Sequence, residues 1–277
     1  MIDLASGRPQ IMGILNVTPD SFSDGGQFLE PEQALQQAQT MIIDGADIID
    51  IGGESTRPGS QRVSVAEQIQ RVLPVIEAIH GMYPDIPISI DTTRAEVAEA
   101  AMKAGAGIIN DISAGRDDPG LLSVAAKKIC PCILMHMKGA PETMQDNPDY
   151  VDVVSEVLNF LLGRAEAAMN AGIRKENIIL DPGIGFGKNR EHNLQLLANL
   201  EQLVATGYPV LLGASRKRFM GSLSGAEQPR DRVSATCATT ALGVAAGVRI
   251  FRVHDVLENR QAADAAWHIQ QYASPAG

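Results

Sequence analysis

The sequence predicts an α/β fold, a single-domain (β/α)8 barrel over residues 1–277 with a short N-terminal lid segment. Three observations lead there. Gly and Pro punctuation recurs roughly every 30 residues along the chain. Four helix-to-strand joints look alike, Gly45-Ala46-Asp47-Ile48, Gly105-Ala106-Gly107-Ile108, Gly172-Ile173 and Gly247-Val248-Arg249-Ile250, each with a helix-ending glycine just before an apolar run. An open doubly wound sheet would want a Gly-x-Gly-x-x-Gly turn after its first strand, and the chain has none there.

The elements follow in order. Met1 to Gln10 reads as the lid over the bottom of the barrel. Ile11 to Leu15 is an apolar run short enough for a buried strand, and Asn16 stands where it gives out. Pro19, Gly25 and Gly26 make the next stretch a loop, which carries Asp20, Asp24 and Phe22. Pro31 suits a first helical turn, with Ala34, Leu35, Ala38, Met41 and Ile42 on one face. Asp47 to Ile51 is the second strand, running into Gly52 to Ser60. Ser64 with Glu67, and Thr93 with Glu96, read as capping boxes. Pro74 is expected to kink the helix between them or split its start.

The third strand, Ile86 to Ile90, ends at Asp91, and Ile108-Ile109 leads to Asn110-Asp111. Pro131 to Met137 is the fifth strand. Val151, Val154, Val157, Leu158, Leu161, Leu162, Ala165 and Met169 mark a long amphipathic helix. Ile178 to Leu180 ends at Asp181, Pro209 to Leu212 at Gly213-Ala214-Ser215-Arg216-Lys217, and the eighth strand is Ile250 to His254.

Composition narrows the class. The chain is 45% hydrophobic, ordinary for a globular protein with a full core. No apolar run is long enough for a membrane span, and the N-terminus lacks the features of a signal peptide, so a cytoplasmic protein is expected. The net charge of -10 argues against a general nucleic-acid surface. Cys130, Cys132 and Cys237 make no disulfide framework and read as small buried hydrophobes.

A barrel of this kind carries its site at the carboxyl ends of its strands. Asn16, Glu54 to Arg57, Asp91, Asn110, Asp181, Ser215 to Lys217, Arg252 and His254 stand there. Arg252 and His254 are two apart and so share a face, while Phe251 and Val253 turn to the helices. Asp91, Asn110 and Asp181 suit a flat heterocycle with several N–H donors, because a buried acceptor left unpaired costs about 1–3 kcal/mol. Arg57, Arg252, His254 and the Asn16 oxygen suit an oxyanion leaving group with a hard, oxygen-preferring metal ion. His136 reads as a satisfied structural residue, His80, His192 and His268 as polar helix surface, and Glu54 as either a loop former or a substrate contact.

At these positions the sequence resembles the dihydropteroate synthase family of folate biosynthesis. Asn16-Val17-Thr18-Pro19-Asp20-Ser21-Phe22-Ser23-Asp24-Gly25-Gly26 and Asp50-Ile51-Gly52-Gly53-Glu54-Ser55-Thr56-Arg57-Pro58-Gly59 carry the likeness. Asp181 to Gly187, Ser215-Arg216-Lys217 and Arg252-Val253-His254 follow in the family's order. Arg218 stands where some members have Ser.

The resemblance implies an enzyme that joins p-aminobenzoate to the methylene carbon of 6-hydroxymethyl-7,8-dihydropterin pyrophosphate and releases pyrophosphate. It implies that Asp91, Asn110, Asp181, Lys217 and Arg252 hold the pterin, with Asp91, Lys217, Arg252 and His254 as the catalytic set. It further implies Asn16 as a Mg²⁺ ligand and Asn16, Thr56, Arg57, Arg252 and His254 at the pyrophosphate. Phe22, Thr56, Pro58, Phe186, Ser215 and Lys217 would form the aminobenzoate pocket. The family also implies a homodimer and a sulfonamide target. A methyltetrahydrofolate-binding methyl-transfer domain would share the barrel but would not need Asn16, Arg57, Arg252 and His254. A non-catalytic relative should have lost charged site residues, and none is missing.

Overall fold

The computed structural model describes residues 7–18, 31–55, 62–139, 143–146 and 148–272. Its elements run β1 (Gln10–Asn16), α1 (Pro31–Ile43), β2 (Ile48–Gly52), α2 (Val65–Met82), β3 (Ile88–Asp91), α3 (Ala95–Ala104), β4 (Ile108–Asp111), α4 (Gly120–Lys128) and β5 (Cys132–Met135). They continue with α5 (Val153–Asn170), β6 (Ile178–Asp181), α6 (Arg190–Ala198), α7 (Leu200–Val204), β7 (Leu211–Leu212), α8 (Arg218–Ser224), α9 (Val233–Ala246), β8 (Ile250–Val253) and α10 (Val256–Gln270). The strands pair in parallel in the order β6-β5-β4-β3-β2-β1-β8-β7. β7 is two residues long, and a single bridge from Leu180 to Val210 joins it back to β6 and closes the barrel.

The alternation of side chains along a strand fixes what fills that barrel. Met12, Ile48, Ile108, Ile133, Ile179, Leu211 and Ile250 form an apolar cluster of their own inside its lower end. Two residues further along the same faces come Ile14, Asp50, Asn110, Met135, Asp181, Gly213 and Arg252. The polar layer therefore rests directly on an apolar plug. The outward residues of the strands, Ile49, Ile51, Leu134, Phe251 and Val253 among them, pack with the helices in the main core.

The four joint glycines, Gly45, Gly105, Gly172 and Gly247, all have positive φ, as a left-handed helix end requires. Ser64 caps α2 by accepting from Glu67 N at 3.3 Å, but the Glu67 carboxylate pairs with Arg71 instead of completing the box. Thr93 forms no box: α3 starts at Ala95, whose N–H goes to Asp118 Oδ2 at 2.8 Å. Helix α2 runs on through Pro74 without splitting. In α5 the apolar stripe is narrower than the sequence suggests, for Val151 precedes the helix and Leu162 and Met169 are exposed.

At the lower end Arg8 pairs with Asp264, and Arg249 and Arg260 donate to the carbonyls of Gly7 and Pro9. Gln10 already belongs to β1, and the lid residues 1–6 lie outside the described residues.

Candidate active site

Arg252 organises the polar layer. Its Nε donates to Asp50 Oδ2 at 2.6 Å and its Nη2 to Asp91 Oδ2 at 2.7 Å. Asn110 Nδ2 donates to the same Asp50 oxygen at 3.1 Å, leaving the Asn110 carbonyl oxygen unused by that bond. Asp50 Oδ1 is buried without a partner. Burial raises the Asp91 carboxyl, and the Arg252 cation works against that rise. For Arg252, burial opposes the charge, but Asp50, Asp91 and Asp181 outweigh it and keep its pKa above the ordinary value.

Asp181, at the end of β6, is buried, and its Oδ1 accepts from Gly183 N at 2.7 Å. It therefore also shapes its own turn, and one oxygen is partly engaged before any ligand arrives. Burial pushes its carboxyl up to about 6, with the Gly183 bond and Lys217 pulling the other way. Lys217 lies with its ammonium 4.1 Å from the centre of the Phe186 ring, a cation–π distance. Burial, reinforced by Arg252, lowers its amine to about 8. Gly185 makes the room: a Cβ there would stand 2.9 Å from Lys217 Cδ.

Ser215 Oγ lies 3.0 Å from His254 Nδ1 and accepts from the His254 N–H at 3.1 Å, tying the loop after β7 to the end of β8. Arg216 between them is left-handed, φ 56°, and turns out of the site. It pairs through both ends of its guanidinium with Asp255, with Nε to Oδ2 at 2.9 Å. Its N–H goes to Thr236 Oγ1 and its carbonyl accepts from the buried Arg232. Such a turn aims Ser215 and Lys217 inward together.

Asn16 ends β1. A Cβ on neighbouring Gly52 would stand 3.7 Å from both Asn16 Oδ1 and Asp91 Oδ2, so the bare glycine separates the two. Glu54 shapes the base of the second loop: its carboxylate accepts from Val63 N at 3.2 Å and from Gln68 Nε2 at 2.8 Å. Thr92 donates to Gln68 Oε1 and extends that network to the end of β3.

Of the residues singled out in the sequence, Asn16, Asp91, Asn110, Asp181, Phe186, Ser215, Lys217, Arg252 and His254 come together at one end of the barrel. Asp20, Phe22, Asp24, Thr56, Arg57 and Pro58 lie outside the described residues, as does most of the two loops that carry them. Arg218 begins α8 and is exposed. Two residues escaped the sequence reading. Asp50 could have been found as a lone acid inside an apolar strand. Lys188 carried no such signal; it is buried, and its ammonium lies 2.9 Å from Nδ1 of His136. Burial and that cation hold the His136 imidazole neutral, consistent with a structural role.

The fold and this polar barrel mouth define a pterin-binding enzyme. The family model described as "Pterin binding enzyme" matches residues 12–254, and the chain belongs to that family. Within it, its place is with the dihydropteroate synthases, transferases that join a dihydropterin to p-aminobenzoate. A dihydropteroate synthase of Synechocystis is 49% identical over 263 residues, 94% of this chain and 91% of that protein. The Yersinia pestis dihydropteroate synthase, solved with a sulfonamide drug complex, is 46% identical at TM-score 0.90 and covers 95% of each chain. The Xanthomonas albilineans enzyme in complex with 7,8-dihydropteroate is 43% identical at TM-score 0.86, covering 96% of this chain and 95% of that one.

Proposed function

We propose that this barrel mouth condenses 6-hydroxymethyl-7,8-dihydropterin pyrophosphate with p-aminobenzoate by a dissociative substitution. One observation carries the reading: Arg252 bridges Asp50 and Asp91 on an apolar plug, beside Asn110 and Asp181. That is a flat, buried set of acceptors with one fixed cation, matched to the donor-rich edge of a pterin. Asp181 accepts from the amino and N3–H edge, Asn110 and Asp91 take the remaining ring positions, and Lys217 meets the ring carbonyl. Arg252 lies against the pterin and reaches the departing pyrophosphate together with Thr56, Arg57 and His254. Phe22, Thr56, Pro58, Phe186, Ser215 and Lys217 seat the aminobenzoate.

In the reaction the bond between the methylene carbon and the pyrophosphate oxygen breaks, and its electrons leave with pyrophosphate. The pterinyl cation is stabilised by ring conjugation and by nearby carboxylates. The aromatic amine nitrogen then bonds to the methylene carbon and loses a proton. Alignment of the two substrates supplies much of the acceleration, and no strong base is needed.

Mg²⁺ fits one part of this site. Among the described residues no group of three His, Cys, Asp or Glu could hold a metal. Asn16 offers a single hard oxygen at the end of β1, and Mg²⁺ is commonly bound by one or two protein groups plus substrate phosphates. Bound there with the pyrophosphate, it would neutralise charge on the leaving group.

We further propose a cytoplasmic homodimer that uses α9 and α10. The three cysteines are free thiols, and no helix among the described residues is long and apolar enough to cross a membrane. The two helices pack on each other and leave Leu242, Leu257 and Ile269 exposed. Sedimentation should give a dimer, and Leu242→Asp should give monomers. A sulfonamide, which matches aminobenzoate in shape and charge, should compete with it.

The deciding assay is pyrophosphate release, expected to require aminobenzoate and Mg²⁺ together. Steady-state pyrophosphate release that aminobenzoate does not increase, or methyl transfer dependent on a cobalamin protein, would overturn the assignment.

A further inference from the structure

The turn between β6 and α6 is built from glycines with positive φ, 66° at Gly183, 82° at Gly185 and 61° at Gly187. Glycine loses more freedom on folding than any other residue, so such a turn has little rigidity of its own. Side chains from around it supply the order. Gln145 Nε2 donates to the Gly185 carbonyl at 2.7 Å, Tyr150 Oη to that of Gly187 at 2.8 Å, and Asn193 Oδ1 accepts from Gly185 N at 2.7 Å.

The carbonyls of Gly183 and Phe186 belong to Lys188. Its Nζ donates to Gly183 O at 2.9 Å and to Phe186 O at 3.0 Å, and its third contact is Nδ1 of His136 at 2.9 Å. An ammonium has three donors and no lone pair, and the longer contact to the His136 carbonyl, 3.4 Å, shares them with these three acceptors. Opposite a protonated Lys188, His136 presents its lone pair at Nδ1 and keeps its proton on Nε2, a tautomer assigned from this network. Among the described residues no carboxylate lies within ion-pair distance of Lys188, although it is 2% exposed. Burial lowers the Lys188 amine to about 7, with Asp181 working against that fall, and a buried cation is costly unless hydrogen-bonded. Here the turn carbonyls of Gly183 and Phe186 stabilise the charge alongside Asp181, so the charge and the shape of the turn depend on each other. Phe186 is consequently held at both ends: Lys188 fixes its carbonyl, and Lys217 lies over its ring.

We propose that Lys188 is a positioning residue for the aromatic amine substrate, holding the Gly183–Phe186 turn so that the Phe186 ring forms a wall of its pocket. The inference rests on the proposed aminobenzoate role of Phe186 and adds the residue that fixes it. Lys188 touches no substrate, and the pterin edge is read by Asp181 ahead of the turn.

The test separates the two substrates in the full-length protein. Lys188→Met keeps the stem and removes the donors. Aminobenzoate KM should rise about tenfold or more, and affinity for a pterin analogue by calorimetry should change by less than about threefold. His136→Asn can keep an acceptor where Nδ1 stands and should stay near wild type, whereas His136→Leu should raise aminobenzoate KM. An unchanged aminobenzoate KM in folded Lys188→Met, or equal loss of both substrates, would overturn the proposal. If Lys188→Met does not fold, equal KM values for His136→Asn and His136→Leu would overturn it. Wild-type protein without aminobenzoate-dependent pyrophosphate release is a different failure, that of the assigned function, and is seen before any variant is made.

Discussion

Arg252 Nε lies 2.6 Å from Asp50 Oδ2, and the second oxygen of that fully buried carboxylate meets no donor. Asp50 therefore acts below the site, steadying Arg252 and Asn110 from the side away from solvent. Asp50→Ala would strand both donors. The expected loss is on the order of 2–4 kcal/mol in unfolding free energy, since each stranded buried donor costs about 1–3 kcal/mol. Urea denaturation measures it; a loss under about 1 kcal/mol would mean that water satisfies both groups.

Asp181 gives a prediction with a pH sign. Its folded pKa, about 6, lies above the ordinary aspartate value of 3.8, so between those values the folded state binds more proton than the unfolded state. Stability contributed by this group therefore falls as pH rises from about 4 to about 6. Asp181→Asn removes that loss. It should be more stable than wild type at pH 7 by on the order of 2–3 kcal/mol, with a smaller gap at about pH 4.5. The same change turns an acceptor into a donor and should weaken pterin binding by on the order of 100-fold or more. Near-wild-type affinity by calorimetry would reduce Asp181 to a turn former.

Much of this site is legible in the sequence because Asn110 and Asp181 each follow an apolar run in a strand and Asp91 follows an Ile-Ser-Ile stretch. Asp50 is harder to read, since its neighbours Ile49 and Ile51 face the helices and only the register with Ile14 shows it turned inward. Thr93 lost its capping role to Asp118, an acceptor from further along the chain that no local pattern reveals. Lys188 is invisible for a related reason: its partners are backbone carbonyls and one ring nitrogen, and a backbone leaves no mark in side-chain spacing.

Asn16 is expected to act through the metal alone. Asn16→Ala should raise the Mg²⁺ concentration needed for half-maximal pyrophosphate release about tenfold, with an unfolding midpoint near wild type. Unchanged Mg²⁺ dependence would remove it from the metal's surroundings.

Arg216 offers a test of strain against positioning. Glycine relieves the left-handed backbone at φ 56° but cuts the pair with Asp255. Arg216→Gly should stay within about 1 kcal/mol of wild-type stability, the two effects opposing one another. Aminobenzoate KM should nevertheless rise roughly tenfold, because Ser215 and Lys217 lose their shared aim. Steady-state kinetics beside thermal unfolding separates the two; wild-type KM would show that Thr236 and Arg232 hold the turn without the Asp255 pair.

The bridge from Leu180 to Val210 has a consequence for how the molecule breathes. A ring of strands opens first where it is stitched least, and here that seam runs between Asp181 on one side and the loop bearing Lys217 on the other. A pterin held by both residues, as proposed, would span the seam like a rivet. Its binding would slow amide exchange at Leu180 and Leu212 more than at the β1–β2 ladder, and the substrate would then act as the last fastening of the barrel as well as its cargo.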